Sequence, residues 1–440
     1  MRSETESYDI IDRALDAANA DAADAVFISG DSNISRFANS NIHQNMSEIS
    51  AELTLRLVIN GAMGVASTTS FELEDIEEMA DVAREAARHS LPLPNFKGLY
   101  RSAGSQPAPS RLESRLYTPS PADKARALRQ VFDCDAQFAG SYSTSASSIA
   151  CGNTHDVRRY GTMSVAEATV IAIRGDDSGY ATAIARDRVD VIELAAEAMD
   201  KATLRSGFHQ EFEAGAYDVI LEPAAIAEVL EWMDLITFSG QSFEDGSSFF
   251  VGNLGKQIAS PSLTIADDAV DPEFLPFPFD LEGLPKRRVA LIENGVARTP
   301  VVDKIYADRL HVEPTANCWS LGSADHGVAL HLSIAAGDST REELIRSAKR
   351  GIWVTRFNYV NGLLEPKTAL MTGTTRDGTF LIRDGEVVAR LPNLRWTQSM
   401  LEAFSRIEGL TRERRRVGSW FNAFGGTLAP VMKIAGWRFD

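Results

Sequence analysis

The sequence predicts an α+β protein of two domains, an α/β N-terminal domain followed by a β-rich C-terminal domain. Three observations carry this. Apolar residues recur at helical spacing between strand-like runs in the first half. Alternating segments closed by Asn-Gly and Asp-Gly turns dominate the second half. Finally, 440 residues exceed what one hydrophobic core serves, since single cores stop growing at roughly 250–300 residues.

Ile10, Ile11, Leu15 and Ala18 give a helix over residues 5–20, and residues 22–29 read as a strand. From Glu48 onward, Leu53, Leu55, Leu57 and Ile59 alternate with Thr54, Arg56 and Val58, which places the four apolar side chains on one strand face. Asn60-Gly61 then turns the chain. Residues 72–89 carry acidic groups early and Arg88 and His89 late, with Ile76, Met79, Val82 and Ala86 as the apolar face of a helix. The Pro- and Ser-rich stretch 102–110 reads as a loop within the first domain. Ser120 caps a helix opening at Pro121, strand-like segments follow at 141–151, 155–163 and 166–174, and a helix at 189–204 completes the domain. The domains are expected at 1–205 and 216–440, joined by an aperiodic stretch.

In the second domain, Ile226, Leu230, Met233 and Ile236 form the apolar stripe of a helix between Pro223 and Gly240. Glu293-Asn294-Gly295 and Asp384-Gly385 mark hairpins. Ser339 with Glu342 forms a capping-box pattern ahead of Leu344, Ile345 and Ala348.

The net charge of −17, from 61 acidic and 44 basic residues, opposes binding to phosphate backbones, so no nucleic-acid partner is expected. The short basic runs Arg287-Arg288 and Arg412 to Arg416 read as solvated faces or subunit contacts. No apolar signal region opens the chain and no run of about 18 apolar residues occurs, so a cytoplasmic location without membrane contact is expected. Cys134, Cys151 and Cys318 read as buried small hydrophobes. Neither a G-x-S-x-G elbow at Ser239 to Ser242 nor a phosphate loop at Gly252 to Gly255 is formed.

Several segments carry a resemblance: RFANSNIHQN at 36–45, FSGQSFEDGSSFFVGNLGKQIASPSLTIADD at 238–268, TGTTRDGTFLIRDGEVV at 372–388 and PNLRWTQS at 392–399. In order and spacing they resemble the TldD/PmbA family, the middle segment its PmbA, or TldE-type, branch. That resemblance implies the two-domain architecture above and a heterodimer whose TldD-like subunit hydrolyses unfolded peptides with zinc. In that subunit a helix opening the second domain carries HExxxH, two histidines holding the metal and the glutamate activating water, and a distant cysteine completes the site.

Here Glu231, Trp232 and Ile236 stand where His, Glu and His would. Trp and Ile offer no lone pair to a metal, and one Glu supplies neither the three protein ligands nor the separate base that hydrolytic zinc needs. None of the seven histidines is followed by Glu. The chain is therefore expected to bind no cofactor itself and to have no catalytic residue, the zinc residing in a TldD-like partner bearing HExxxH. The one rival ligand set is Cys318, His326 and His331, whose two histidines point to opposite faces if they share a strand.

Arg36, Asn39, His43 and Asn45, with Asn41 and Gln44, crowd hydrogen-bonding groups beside a strand. They are candidates for gripping an extended peptide or the partner, against the alternative of a polar turn satisfying its own backbone. Arg376 and Asp377 are adjacent on a strand, point to opposite faces and read as structural. The expected function is that of a non-catalytic subunit of a heterodimeric metallopeptidase. The alternatives are a self-sufficient metallopeptidase or amidase with unorthodox ligands near Cys318, and a stand-alone peptide-binding or assembly protein.

Overall fold

The computed structural model describes residues 1–101, 119–133, 136–322, 327–418 and 425–440. The expected loop at 102–110, Cys134 and His326 lie outside these. The first domain comprises α1 (Glu4–Ala18), β1 (Ala22–Ala38), β2 (Asn41–Ile59), β3 (Ala62–Thr68), α2 (Leu73–His89), α3 (Pro121–Phe132), β4 (Gln137–Asn153), β5 (Arg158–Arg174), β6 (Asp177–Ala185) and α4 (Val191–Thr203). Its strands form one antiparallel sheet in the order β3-β2-β1-β4-β5-β6. Helices cover one face: Phe27, Leu53, Leu55 and Leu57 pack with α1 and α2, and Phe37, Tyr142 and Val170 with α3 and α4.

Two sequence expectations need correction here. The segments at 155–163 and 166–174 are one long strand, β5, because Ser164 is buried in the sheet rather than placed at a turn, and β6 follows unforeseen. Along α2 the buried face is Ile76, Met79, Ala80, Ala83 and Ala87, leaving Val82 exposed. The reason is proximity. A Cβ at Gly64 of β3 would lie 1.9 Å from the Ala83 carbonyl oxygen, so where the helix crosses that glycine its buried positions are the small Ala83 and Ala87.

The second domain holds β7 (Gly215–Leu221), α5 (Pro223–Met233), a π-turn (Asp234–Phe238), α6 (Gly240–Glu244), β8 (Ile265–Asp268), β9 (Arg288–Glu293), β10 (Val296–Ala297), α7 (Lys304–Leu310), β11 (His331–Ile334) and α8 (Arg341–Arg346). It continues through β12 (Arg350–Glu365), a 3-10 turn (Pro366–Thr368), β13 (Leu370–Arg383), β14 (Glu386–Arg390), β15 (Arg395–Ser399), α9 (Met400–Ser405), β16 (Ile407–Gly418) and β17 (Gly426–Phe439). These strands form one large sheet ordered β10-β9-β8-β11-β17-β7-β12-β13-β14, with β15 on β13 and β16 on β17. The hairpin turns at Asn60-Gly61, Asn294-Gly295 and Asp384-Gly385 all have both residues at positive φ, the geometry that matches the twist of the strands they join. The capping box before α8 lies one residue later than expected, at Thr340 and Glu343, because Ser339 is still held by a backbone bridge to Thr411.

The uncovered face of the first sheet packs on the second domain. Val26, Ile149 and Cys151 meet Phe277, Phe279, Cys318 and Leu321. Arg56, fully buried on that face, donates from Nε to Asp24 Oδ1 at 2.9 Å and from Nη2 to Glu282 Oε1 of the second domain at 2.8 Å. Lys201 Nζ reaches Glu222 Oε2 at 2.7 Å, and Arg390 Nε lies 2.9 Å from Asp177. Three buried cations thus cross between the domains.

Candidate functional site

The candidate site is α5 with its π-turn, since its sequence neighbours carry the resemblance and since π-turns within helices concentrate at functional positions. Pro223 opens α5, where a missing N–H is harmless. The expected stripe is observed: Ile226, Leu230, Met233 and Ile236 are all buried in the main core of the domain. Ile236 is 8% exposed and Trp232 is half-buried against the same core. β12 presses on both, for a Cβ at Gly362 would lie 3.0 Å from Trp232 and 3.1 Å from Ile236. A zinc ion does not fit here: of the three side chains at the motif positions, one is an indole, one is aliphatic and packed, and Glu231 is the only one with a donor.

Carboxylates nevertheless gather along this segment. Glu228 accepts from the Val360 N–H at 3.4 Å, and burial raises its pKa. Asp234 accepts from the Ala329 N–H at 3.0 Å. Burial pushes its carboxyl up to about 7, and the charges of Asp267 and Glu231 add to the shift. Asp267 behaves oppositely. Its burial would raise the pKa, but Lys286 at 3.3 Å, the His331 N–H at 2.8 Å and Asn317 Nδ2 at 2.9 Å stabilise the anion and hold it below the usual carboxylate range.

The rival ligands Cys318 and His331 line one small cavity of about 20 Å³ together with Asp280 and Lys286. Burial pushes the Cys318 thiol well above its ordinary value and depresses His331 to about 4, so the thiolate is disfavoured and the imidazole is neutral at pH 7. Both His331 ring nitrogens lack a hydrogen-bond partner among the described residues. A thiol held protonated by burial and by the neighbouring Glu282 and Asp280 carboxylates is a poor metal ligand. Among the described residues no group of three or more His, Cys, Asp or Glu side chains could hold a metal ion.

Arg36, Asn39, His43 and Asn45 share one feature, the hairpin of β1 and β2, and all four are exposed. Asn39 and Ser40 form its tip at φ 49° and 53°. Ser35 Oγ donates to Asn45 Oδ1 at 2.6 Å and Arg36 Nη1 to Gln44 Oε1 at 3.3 Å, so part of the polar crowd is satisfied across the hairpin. The register shifts between Arg36 and Phe37. β3 pairs only with Leu53–Ile59, leaving the outer edge of β2 from Asn41 to Glu52 without a strand partner among the described residues. The hairpin is packed by α3, whose Lys124 Nζ donates to the Asn33 carbonyl and side chain at 2.6 and 2.7 Å, and not by α5. The two sets of candidate residues are therefore on separate domains.

Sequence reasoning missed the buried ion groups. The signal was Arg56 set among apolar residues in LTLRLVI, and Asp267 in TIADD, where a charge stands in a strand pattern that calls for burial. Arg376 and Asp377 behave as expected in part. Asp377 is buried and accepts from Arg356 Nε at 2.8 Å and Ser178 Oγ at 2.8 Å, while Arg376 is exposed.

No helix among the described residues is long and apolar enough to cross a membrane. Residues 214–440 match the model of the PmbA/TldA metallopeptidase C-terminal domain, and residues 23–87 that of PmbA/TldA metallopeptidase domain 1. The chain is 24% identical over 246 residues to a metalloprotease of Methanothermobacter thermautotrophicus, covering 56% of this chain and 53% of that protein. With a metalloprotease TldD homolog of Buchnera aphidicola it shares 27% over 169 residues, 37% of this chain and 34% of that protein. It thus spans about half or less of the length of the curated relatives it matches. Two solved structures share its fold: TldE from Thermococcus kodakarensis, at 21% identity and TM-score 0.86 over 100% of both chains, and a putative modulator of a DNA gyrase from Thermotoga maritima, at 19% and 0.84 over 98% of this chain and 100% of that one. With its C-terminal half and an N-terminal segment both matched in order, the chain belongs to the PmbA/TldD metallopeptidase family.

Proposed function

We propose that this chain is the non-catalytic, PmbA/TldE-like subunit of a heterodimeric TldD-type metallopeptidase acting on unfolded peptides in the cytoplasm. The observation that carries the reading is the fate of the metal-binding helix: at its motif positions Trp232 and Ile236 pack on β12 and the core. A helix so committed supplies neither ligands nor a general base, and peptide-bond hydrolysis then requires zinc held by a TldD-like partner bearing HExxxH. This chain contributes enclosure and peptide grip. The β2 edge, without a strand partner among the described residues, and the exposed Asn39, His43 and Asn45 suit strand addition, in which main-chain hydrogen bonds hold an extended peptide without reading its side chains.

The test is cleavage of an unfolded peptide by each subunit alone and by the mixture, with and without chelator. Activity is expected only in the mixture and only without chelator. Chelator-insensitive cleavage by this chain alone, at the rate of the mixture, refutes the proposal.

A further inference from the structure

We propose that Lys124 is a positioning residue for peptide capture: acting through Asn33, it pins β2 to β1 and so sets the edge of β2 on which an extended peptide is held. This rests on the peptide-gripping role proposed above and names the side chain that shapes the grip. Lys124 breaks the pattern of its helix. It shares the inward face of α3 with Leu128 and Val131, where an aliphatic residue is the ordinary choice, and it is 0% exposed. A buried ammonium is costly unless it is hydrogen-bonded. Its Nζ donates to the Asn33 carbonyl at 2.6 Å, to Asn33 Oδ1 at 2.7 Å and to the Tyr142 carbonyl at 3.4 Å, so three protons meet three neutral oxygens.

The Asn33 amide passes the constraint on. With Oδ1 committed to Lys124, Nδ2 turns to β2 and donates to Ser47 Oγ at 2.6 Å, and two residues along Ser35 Oγ donates to Asn45 Oδ1 at 2.6 Å. Local pins are needed here. The apolar pairs that fix register, Ala25 with Leu55 and Phe27 with Leu53, lie at the far end of the hairpin. Toward the tip, Ser32 faces Glu48 and Asn33 faces Ser47, pairs that favour no one register. A slip of one residue would send every side chain of the edge, Asn45 among them, to the other face. That edge, Asn41 to Glu52, is the stretch of β2 without an outer strand partner among the described residues.

Titration gives the contact a signature. Burial lowers the Lys124 pKa to about 8, with no charged group contributing. The surrounding elements account for this. On β4 there is no charged residue, and the Tyr142 ring lies 5.2 Å from Nζ. On β1, Asp31 is exposed and lies 3.6 Å from the N-terminal amine, and Arg36 is exposed; β2 exposes His43, Glu48 and Glu52. From α4, Glu197 and Lys201 are taken by Arg415 and Glu222, while Glu193 and Asp200 are exposed. On α3 itself Asp123 pairs with Arg126, and Arg129 is exposed. Loss of the proton leaves two N–H donors for three acceptors and aims a lone pair at an oxygen. The hold on Asn33 therefore weakens as pH rises through about 8.

The experiment compares the full-length wild-type chain with Lys124→Met and Ser47→Ala. Hydrogen exchange of each chain alone at pH 7 reads the edge. Cleavage of an unfolded peptide by each chain mixed with the purified HExxxH-bearing relative encoded in the same genome reads the grip. Lys124→Met should speed exchange across residues 41–52 and raise KM about tenfold at pH 7 with kcat unchanged, as loss of a charged hydrogen-bonding group does. The ratio of its KM to that of the wild type should fall toward one at pH 9, where the wild-type lysine is itself neutral. Ser47→Ala leaves Lys124 in place and cuts the link, so it should raise KM and show the same convergence. Ser47 is exposed, so this variant carries the test even where Lys124→Met fails to fold. Unchanged exchange and KM in both variants, or a KM ratio constant from pH 7 to pH 9, overturns the proposal. A wild-type mixture that cleaves nothing removes the peptidase reading above. The exchange arm then decides the positioning alone, faster exchange at 41–52 supporting it and unchanged exchange refuting it.

Discussion

Replacing Arg56 by Met removes the cation that ties the two domains while keeping most of the side chain's apolar stem. The Arg56 side chain is 2% exposed and bonds Asp24 through both Nε and Nη2, with Glu282 at 2.8 Å from Nη2. Without it, two buried carboxylates face one another. Removing one partner of a buried ion pair costs about 3–5 kcal/mol, because the charge left behind stays desolvated. The loss should depend on pH. Burial already raises Glu282 above the ordinary carboxylate value, with Arg56 opposing the rise. Arg56→Met raises it further, and a raised carboxyl contributes stability that is present below its unfolded pKa and lost as pH rises through the folded one. Urea unfolding followed by fluorescence at pH 5 and pH 8 reads both effects. The variant should lose about 3–5 kcal/mol at pH 8 and clearly less at pH 5, and Arg56→Met combined with Asp24→Asn and Glu282→Gln should recover much of it. A loss below about 1 kcal/mol at pH 8, the range of exposed pairs, or equal losses at both pH values, would refute this reasoning.

Ile236→Ala should destabilise the chain by about 2–5 kcal/mol, as large-to-small core changes do, and a thermal melt checks it; unchanged stability with altered peptide processing would mean that the helix lines a working site. Asp234→Asn keeps an acceptor for the Ala329 N–H and removes a carboxyl raised to about 7. The wild type loses stability as pH climbs from the unfolded value toward 7, so the variant should be the more stable protein at pH 8, by up to about 4 kcal/mol, and the two should converge near pH 4. Elemental analysis of the purified chain should find no stoichiometric transition metal; about one zinc or iron per chain, lost on mutating Cys318 or His326, would instead support the self-sufficient enzyme. Asn39→Ala and His43→Ala should lower peptide processing by the mixed subunits without changing its metal content.

Legibility in the sequence followed the range of the forces involved. Turns were readable because Asn60-Gly61, Asn294-Gly295 and Asp384-Gly385 specify their own backbone geometry. The stripe on α5 was readable because its period is local and its core is large. The buried face of α2 was misplaced by a partial turn because its selection is made by Gly64, an element away, where close approach leaves room for alanine and not for Val82. Arg56 was passed over for the same reason: its partner Glu282 is distant in sequence, and no periodicity links them.

The same distinction bears on the metal question. That HExxxH does not occur is visible in the sequence, and an absence alone leaves room for other ligands elsewhere. The packing supplies what the sequence could not. Ile236 and Trp232 are met by Gly362, a residue on another element whose lack of a side chain leaves the space they occupy. Restoring histidines at 231 and 236 would therefore bury an imidazole among apolar neighbours at 236 with no designed partner, and an unpaired buried polar group costs roughly 1–3 kcal/mol. The double change Glu231→His with Ile236→His, carrying Trp232→Glu, should accordingly lower the melting temperature without gaining stoichiometric zinc. A variant that instead took up one zinc and was stabilised by it would mean that the ligand geometry survives intact and that only the side chains were exchanged.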